Sequence, residues 1–215
     1  MTADREAYLS RLGCLSDLDR QVGSVITIDA GGGSTELSFV PGNTCTETLA
    51  VNCSSISIPA GAVSLTEKFL KTGGRTEKNI TTLRNSVREL FAKELGDWQN
   101  SFDHNLFKPE RTLTLVASGG TATALACLDL KLYKYDASRV QGHVLQRSTL
   151  DNLLQMLTNL SPAQANALPG LDNRRGEIII AGLVILESII DFWRCTHLLV
   201  TDSGLLEGIL LANLD

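Results

Sequence analysis

The 215-residue sequence lacks the features that mark a membrane-spanning or exported protein. Its longest apolar run, residues 177–193, is interrupted by Glu187 and falls short of the roughly 18 apolar residues that a spanning helix needs. The first residues, MTADREAYLSRL, have neither the basic start nor the apolar centre of a signal peptide. We therefore expect a cytoplasmic protein without a membrane partner.

The sequence also lacks closely spaced cysteine pairs, a net positive charge and clustered histidines. The five cysteines form no C-x-x-C pair and no even disulfide framework, which favours a reducing compartment. A net charge of −5 argues against general nucleic-acid binding but leaves room for a local anion site. His104, His143 and His197 are scattered and do not space like metal ligands. Neither a Walker A sequence nor G-x-G-x-x-G occurs, so neither of those nucleotide loops is present.

The sequence does contain apolar strands alternating with amphipathic helices. Strands are predicted at residues 25–28, 37–40, 48–58, 112–118 and within 197–204. Helices are predicted at residues 62–70, 76–98, 148–160 and 174–193, after the glycine pair at 119–120, and at the C-terminus. Three strands in a meander, followed by alternating helices and strands, predict one α/β domain with a mixed five-stranded sheet flanked by helices.

The stretch VITIDAGGGSTELSFV (residues 25–40) places three glycines between an aspartate and a glutamate. Consecutive glycines let several backbone amides approach a ligand closely, which suits phosphate oxygens, and Ser34 and Thr35 add hydroxyl donors. Asp29 and Glu36 would repel phosphate unless a divalent cation lay between them, and Mg²⁺ takes one or two carboxylates plus phosphates and waters. The alternative is a tight hairpin whose acidic side chains are solvated.

A second stretch, ASGGTATALACL, repeats this arrangement: a strand, a glycine turn, and a helix with Thr121 and Thr123 near its start. The free amides and the positive dipole end of such a helix favour an anion, although on its own the pattern is more typical of a threonine-capped turn. Apolar strands end in small polar turns at residues 29–35, 118–123 and 201–204. In an α/β fold, turns gathered at one sheet edge form the ligand crevice.

These motifs resemble those of the exopolyphosphatase/guanosine pentaphosphate phosphohydrolase (Ppx/GppA) family. IDAGGGSTEL closely resembles the family signature D-[IL]-G-G-G-S-T-E-L. Five other stretches resemble further family motifs in order along the chain: REAYLSRLG, IPAGAVSLTEKFL, ASGGTATALA, LPGLDNRRGEIIIAGLVIL and VTDSGLLEGIL. The resemblance implies a ribonuclease H-like (actin-like ATPase) domain over residues 1–215, equivalent to the C-terminal half of such a phosphatase.

The resemblance also implies a role for individual residues. Glu6 and Glu36 are implied to be catalytic, with Glu6 as the base for the attacking water, and Asp29 and Glu36 to bind Mg²⁺. The residues implied to bind phosphate are Gly31, Gly32, Gly33, Ser34, Thr35, Gly119, Gly120 and Thr121. The implied reaction releases the terminal phosphate of inorganic polyphosphate or guanosine pentaphosphate.

Two departures from the family pattern bear on activity. The family's other phosphate loop, D-x-G-S-N-S, begins an N-terminal domain that is absent here, so we expect the isolated chain to be incomplete as a catalyst. Leu206 stands where the family usually has arginine, and Arg174 and Arg175 are further candidates to face a polyanion. The main alternative is a non-catalytic regulatory module that binds polyphosphate or nucleotide. A third hypothesis is a sugar-kinase-like or chaperone-like protein that uses ATP. Homodimerisation is left open.

Overall fold

The computed structural model describes residues 3–16, 23–42, 53–72, 74–101, 113–171 and 175–213. Six strands in these ranges form one mixed sheet: β1 (Ser24–Ala30), β2 (Thr35–Val40), β3 (Ser54–Ile58), β4 (Leu113–Ser118), β5 (Val144–Gln146) and β6 (His197–Val200). Their order is β3-β2-β1-β4-β6-β5. β1, β4 and β6 are parallel, and the other three are antiparallel to their neighbours. The carboxyl ends of the three parallel strands therefore share one edge of the sheet.

Helices cover both faces of this sheet. They are α1 (Ala3–Ser16), α2 (Ala62–Phe69), α3 (Glu77–Asn100), α4 (Gly119–Asp129), α5 (Ala137–Val140), α6 (Arg147–Thr158), α7 (Pro162–Asn166), α8 (Arg175–Trp193) and α9 (Leu205–Leu211). Thr76 caps α3, its hydroxyl accepting from the amide of Asn79 at 3.3 Å. None of the helices in the described ranges combines the length and apolar character that crossing a bilayer requires.

Alternation along β1 separates two apolar layers. Ile26 and Ile28 point into the main core, which also contains the apolar residues of α3 and α8. Val25 points to the opposite face, where it joins Val40 and the side chains of Tyr8 and Leu12 from α1. The period of two in a strand makes Thr27 and Asp29 share the α1 face with Val25.

Helices α1 and α9 pack closely against each other beside the second layer. A methyl group at Gly208 would lie 1.8 Å from the carbonyl oxygen of Leu9, and one at Gly13 would lie 1.8 Å from that of Gly204. Both values are far inside van der Waals contact, so only glycine allows the two backbones to approach this closely.

Glu187, which interrupts the apolar run of α8, is buried with only 1% of its surface exposed. Its carboxylate accepts hydrogen bonds from Arg84 of α3, with 3.1 Å between Nε and Oε2, and from Arg147 of α6 at 2.5 Å. A buried charge is stable only when it is paired and hydrogen-bonded. This ion-pair cluster therefore joins α3, α6 and α8, and its role is structural.

The α/β prediction with a mixed sheet is confirmed, but the described ranges contain six strands rather than the expected five. The additional strand, β5, has only three residues and follows Gly142, whose φ is +74°. Three residues are too few to show a strand period, so the segment could not be recognised from its pattern. Of the predicted third strand, residues 54–58 are observed, and residues 48–52 lie outside the described part, as does residue 112. The glycine turn predicted at residues 119–120 is not a separate turn, because these two glycines are the first residues of α4.

Candidate active site

The glycine loop between β1 and β2 is held from behind by the start of α2. The amides of Ala62 and Val63 donate to the carbonyl oxygens of Gly31 and Gly32 at 2.8 and 2.9 Å. The amide of Gly31 closes the loop on the Ser34 carbonyl at 3.0 Å. Among the described residues, the amides of Gly32 and Gly33 have no protein acceptor. The loop thus has its carbonyls bound and two amides available for an anion.

The two acidic residues that flank the loop face the same way. Asp29 and Glu36 are direct register partners in the antiparallel pair of β1 and β2. Such partners have their Cβ atoms about 5 Å apart on one face of the sheet. One oxygen of the exposed Glu36 carboxylate, Oε1, accepts from the hydroxyls of Ser34 at 2.5 Å and Ser57 at 2.9 Å. These two hydroxyls orient the carboxylate.

Gly119 brings the second glycine segment against Asp29. Its φ is +78°, in the left-handed region, and a Cβ placed on it would lie 2.6 Å from Asp29 Oδ1. Both observations require glycine at this position. The hydroxyl of Thr121 donates to the Ala30 carbonyl at 2.8 Å, and that of Thr123 to the Gly119 carbonyl at 3.1 Å. The start of α4 is thereby fixed to the end of β1.

Arg175, the first residue of α8, lines three cavities at this edge of the sheet. The loop pocket, of about 240 Å³, lies between the glycine loop and α8 and is also lined by Asp29 and Thr121. The turn pocket, of about 270 Å³, also touches Gly119, Tyr135 and Asp202. The side groove, of about 950 Å³, runs from Arg175 along α2 towards the end of α6. The Arg175 guanidinium donates to the Gly120 carbonyl oxygen.

Asp202, which follows β6, lies in the turn pocket as the end-of-strand pattern suggests. The hydroxyl of Tyr135 donates to its carboxylate. Burial, and then this carboxylate, raise the pKa of Tyr135 above its ordinary value, so the phenol stays protonated at neutral pH.

The structure brings together most of the predicted site residues, but not the Thr35 hydroxyl. Thr35 is fully buried on the opposite face from Glu36, and its hydroxyl donates to the Ala60 carbonyl at 2.7 Å. Glu6 lies in α1, but its side chain lies outside the described part of the chain, as do Arg174 and His104. His143 pairs with Asp129, with 2.8 Å between Nε2 and Oδ2.

Arg175, named from the sequence as a candidate to face a polyanion, is a lining residue of all three cavities. An arginine at the start of a helix is usually solvated, and the one local feature that sets this one apart is the glycine that follows it. The glycine at the next position was the available signal, because α8 must approach another segment closely there. A methyl group at Gly176 would lie 2.4 Å from the backbone nitrogen of Asn166 in α7.

A magnesium ion is chemically compatible with this site only if a ligand shares it. Within the described ranges, no group of three or more His, Cys, Asp or Glu side chains could hold a metal ion. Asp29 and Glu36 supply two carboxylates on one face, and Glu36 has a second oxygen besides the one bound by the serines. That donor set fits Mg²⁺, which commonly takes one or two carboxylates and completes its shell with phosphate and water.

Comparison with known proteins identifies the family. The model of the Ppx/GppA phosphatase family matches residues 1–215. The chain belongs to this family. The predicted resemblance is thereby confirmed, and with it the actin-like ATPase fold of the Ppx/GppA structures.

The individual proteins that this chain resembles are longer than the chain itself. It is 28% identical to the bifunctional 3-dehydroquinate synthase/phosphatase of Fusobacterium nucleatum, covering 100% of this chain and 30% of that protein. It is also 28% identical to exopolyphosphatase 2 of Mycobacterium tuberculosis, over 99% of this chain and 62% of that one. A crystal structure of the Aquifex aeolicus Ppx/GppA family member superposes with a TM-score of 0.80 at 27% identity, covering 100% of this chain and 63% of that one. The chain therefore spans less than two thirds of these relatives.

Proposed function

We propose that this chain is the hydrolase domain of an exopolyphosphatase-like enzyme, releasing the terminal phosphate of inorganic polyphosphate or guanosine pentaphosphate. The observation that carries the proposal is the loop pocket. There, Gly32, Arg175 and Asp29 line a cavity large enough for a phosphoryl group. Gly33 follows Gly32 in the loop, and Glu36 is the register partner of Asp29. Membership in a phosphatase family supports the same chemistry. We further propose that it acts in the cytoplasm, without membrane or nucleic-acid partners.

Binding in this mechanism is the task of the glycine loop and of Arg175. Phosphoryl transfer depends mainly on positioning and on neutralising the charge of the equatorial phosphoryl oxygens. The amide of Gly32, which lines the pocket and has no protein acceptor among the described residues, would donate to those oxygens, and the guanidinium of Arg175 would balance their charge. Because the loop carbonyls are already bound by α2, they do not compete for the amides.

The carboxylates take the remaining roles. Asp29 and Glu36 would hold Mg²⁺, which when bound supplies positive charge to the phosphoryl oxygens. The serine hydroxyls bind one oxygen of Glu36, and the other oxygen would be the one that takes the metal. We assign Glu6 as the base that takes a proton from the attacking water, in keeping with the family motif that it matches.

We also propose that efficient turnover needs more chain than these 215 residues. The support is that the sequence spans 62% of exopolyphosphatase 2 and 63% of the Aquifex protein. A second phosphate-binding segment facing the loop pocket would close the site, and a closed site is what positions the water.

The test is phosphate release measured on this chain and on a longer protein that also carries the N-terminal domain. We expect little or no release from the chain alone, activity from the longer protein, and loss of that activity in its Glu6→Gln variant. Full-rate release from the isolated chain would refute the need for a second domain. Tight polyphosphate binding without turnover in the longer protein would favour the alternative, a regulatory binding module.

A further inference from the structure

Arg75 joins three segments that are far apart in the sequence. It precedes the capping residue of α3, and its guanidinium donates only to backbone carbonyl oxygens in the contacts that the structure describes. Nη1 lies 3.3 Å from the carbonyl oxygen of Leu160 and 3.5 Å from that of Leu157, and Nη2 donates to the carbonyl of Gly176. Leu157 lies in the last turn of α6, Leu160 follows the end of that helix by two residues, and Gly176 is the second residue of α8.

These acceptors explain why an arginine is needed. The last carbonyls of a helix lack intrahelical partners, and a planar guanidinium with several fixed donors can satisfy more than one of them. Burial lowers the pKa of Arg75, and the nearby Glu177 carboxylate opposes this effect. The half-buried side chain is therefore occupied with holding backbone rather than presented to solvent as a free cation.

The first turn of α8 is held from a second direction as well. Gly176 packs against α7 so closely that a Cβ on it would lie 2.4 Å from the nitrogen of Asn166. The side-chain amide of Asn166 also lies 3.4 Å from the Glu177 carboxylate. Arg75 and α7 thus fix the backbone immediately after Arg175, the residue whose guanidinium bonds to Gly120 and lines the loop pocket.

We propose that Arg75 is a positioning residue for phosphate binding, which fixes the first turn of α8 so that Arg175 points into the loop pocket. The proposal rests on the proposed function, because it assumes that Arg175 binds phosphate. It assigns Arg75 no contact with the substrate. Removing Arg75 should therefore act only through Arg175.

A double-mutant cycle tests this on the 215-residue chain. Binding of tripolyphosphate in the presence of Mg²⁺ is measured by isothermal titration for the unaltered chain, Arg75→Ala, Arg175→Ala and the double variant. We expect each single substitution to weaken binding about tenfold, and the double variant to bind no more weakly than Arg175→Ala alone. Arg75→Lys, which keeps the charge but not the fork of donors, should give an intermediate loss and serves if Arg75→Ala fails to fold.

Arg84→Ala is the matched control, because Arg84 also holds α8 but does so far from Arg175. Its partner is the buried Glu187, which lies in the C-terminal half of α8. It should lower the melting temperature and leave tripolyphosphate affinity unchanged. The proposal is wrong if the effects of Arg75→Ala and Arg175→Ala are additive, or if Arg84→Ala weakens binding as much as Arg75→Ala. If the unaltered chain does not bind tripolyphosphate, or if Arg175→Ala binds normally, the proposed role of Arg175 fails first and this inference falls with it.

Discussion

Replacing Gly119 with alanine should separate the role of Asp29 in binding from its role in folding. Gly119 has a φ of +78°, and a Cβ on it would lie 2.6 Å from Asp29 Oδ1, whereas an ordinary contact begins at 3.4 Å. The Asp29 carboxylate must therefore retreat by about 0.8 Å. A misplacement of about 1 Å at an active site can lower the reaction rate about 100-fold. The left-handed backbone itself costs alanine about 1–2 kcal/mol. For a chain of this size, that corresponds to a fall in melting temperature of about 2–8 °C.

Gly142→Ala provides a control that has the backbone cost alone. Gly142 has a φ of +74°, and nothing lies within 4 Å of a Cβ built on it. Both variants should unfold at similarly reduced temperatures in thermal melts followed by circular dichroism. Only Gly119→Ala should weaken Mg²⁺-dependent tripolyphosphate binding in isothermal titration, by at least tenfold. Equal affinities in the two variants would refute the placement of Asp29 in the phosphate site.

Three further predictions concern the same edge of the sheet. Gly32→Val should abolish tripolyphosphate binding in a folded protein, because the valine side chain would occupy the loop and press on Val63. The control Gly96→Ala in α3, where a Cβ meets nothing within 4 Å, should bind normally, and normal binding by Gly32→Val would disprove the role of the loop. The double variant Asp29→Asn, Glu36→Gln should lose the Mg²⁺ dependence of binding measured by titration with and without the metal, and retention of that dependence would make the carboxylates structural. Cys14 is 2% exposed and burial raises its pKa to about 11, so native protein at pH 8 should resist alkylation there in a peptide mass map, and rapid labelling would contradict the docking of α1.

The hairpin that carries the site could be predicted from sequence because its parts are contiguous. Two apolar strands, three glycines and the flanking acids occupy one short stretch, and the observed register of Asp29 opposite Glu36 follows from the length of the loop. The Thr35 hydroxyl was the weak point. Glu36 and Thr35 are neighbours in a strand, so their side chains must point to opposite faces, and only one of them can reach the ligand.

Arg175 could be named from the sequence as a candidate to face a polyanion, but its place at the glycine loop could not be predicted. Its position depends on where α8 packs, and α8 is fixed by contacts with Arg75 and α7, which are about 100 and 10 residues away along the chain. Gly176 indicates a close approach at this point, but the local pattern does not say which segment lies there. The same reasoning applies to β5, whose three residues become a strand only because β6 offers an edge to pair with.

The support that α2 gives to the glycine loop has a consequence for the thermodynamics of binding. A run of three glycines has more conformational freedom in the unfolded chain than any other tripeptide, and ordering it costs about 1–2 kcal/mol per residue. Here the amides of Ala62 and Val63 hold the loop in shape without a ligand. The conformational entropy of the loop is therefore lost when the protein folds and not when the ligand binds. An arriving phosphate then avoids an ordering cost of about 3–6 kcal/mol, and its association should follow simple one-step kinetics without a slow rearrangement of the loop.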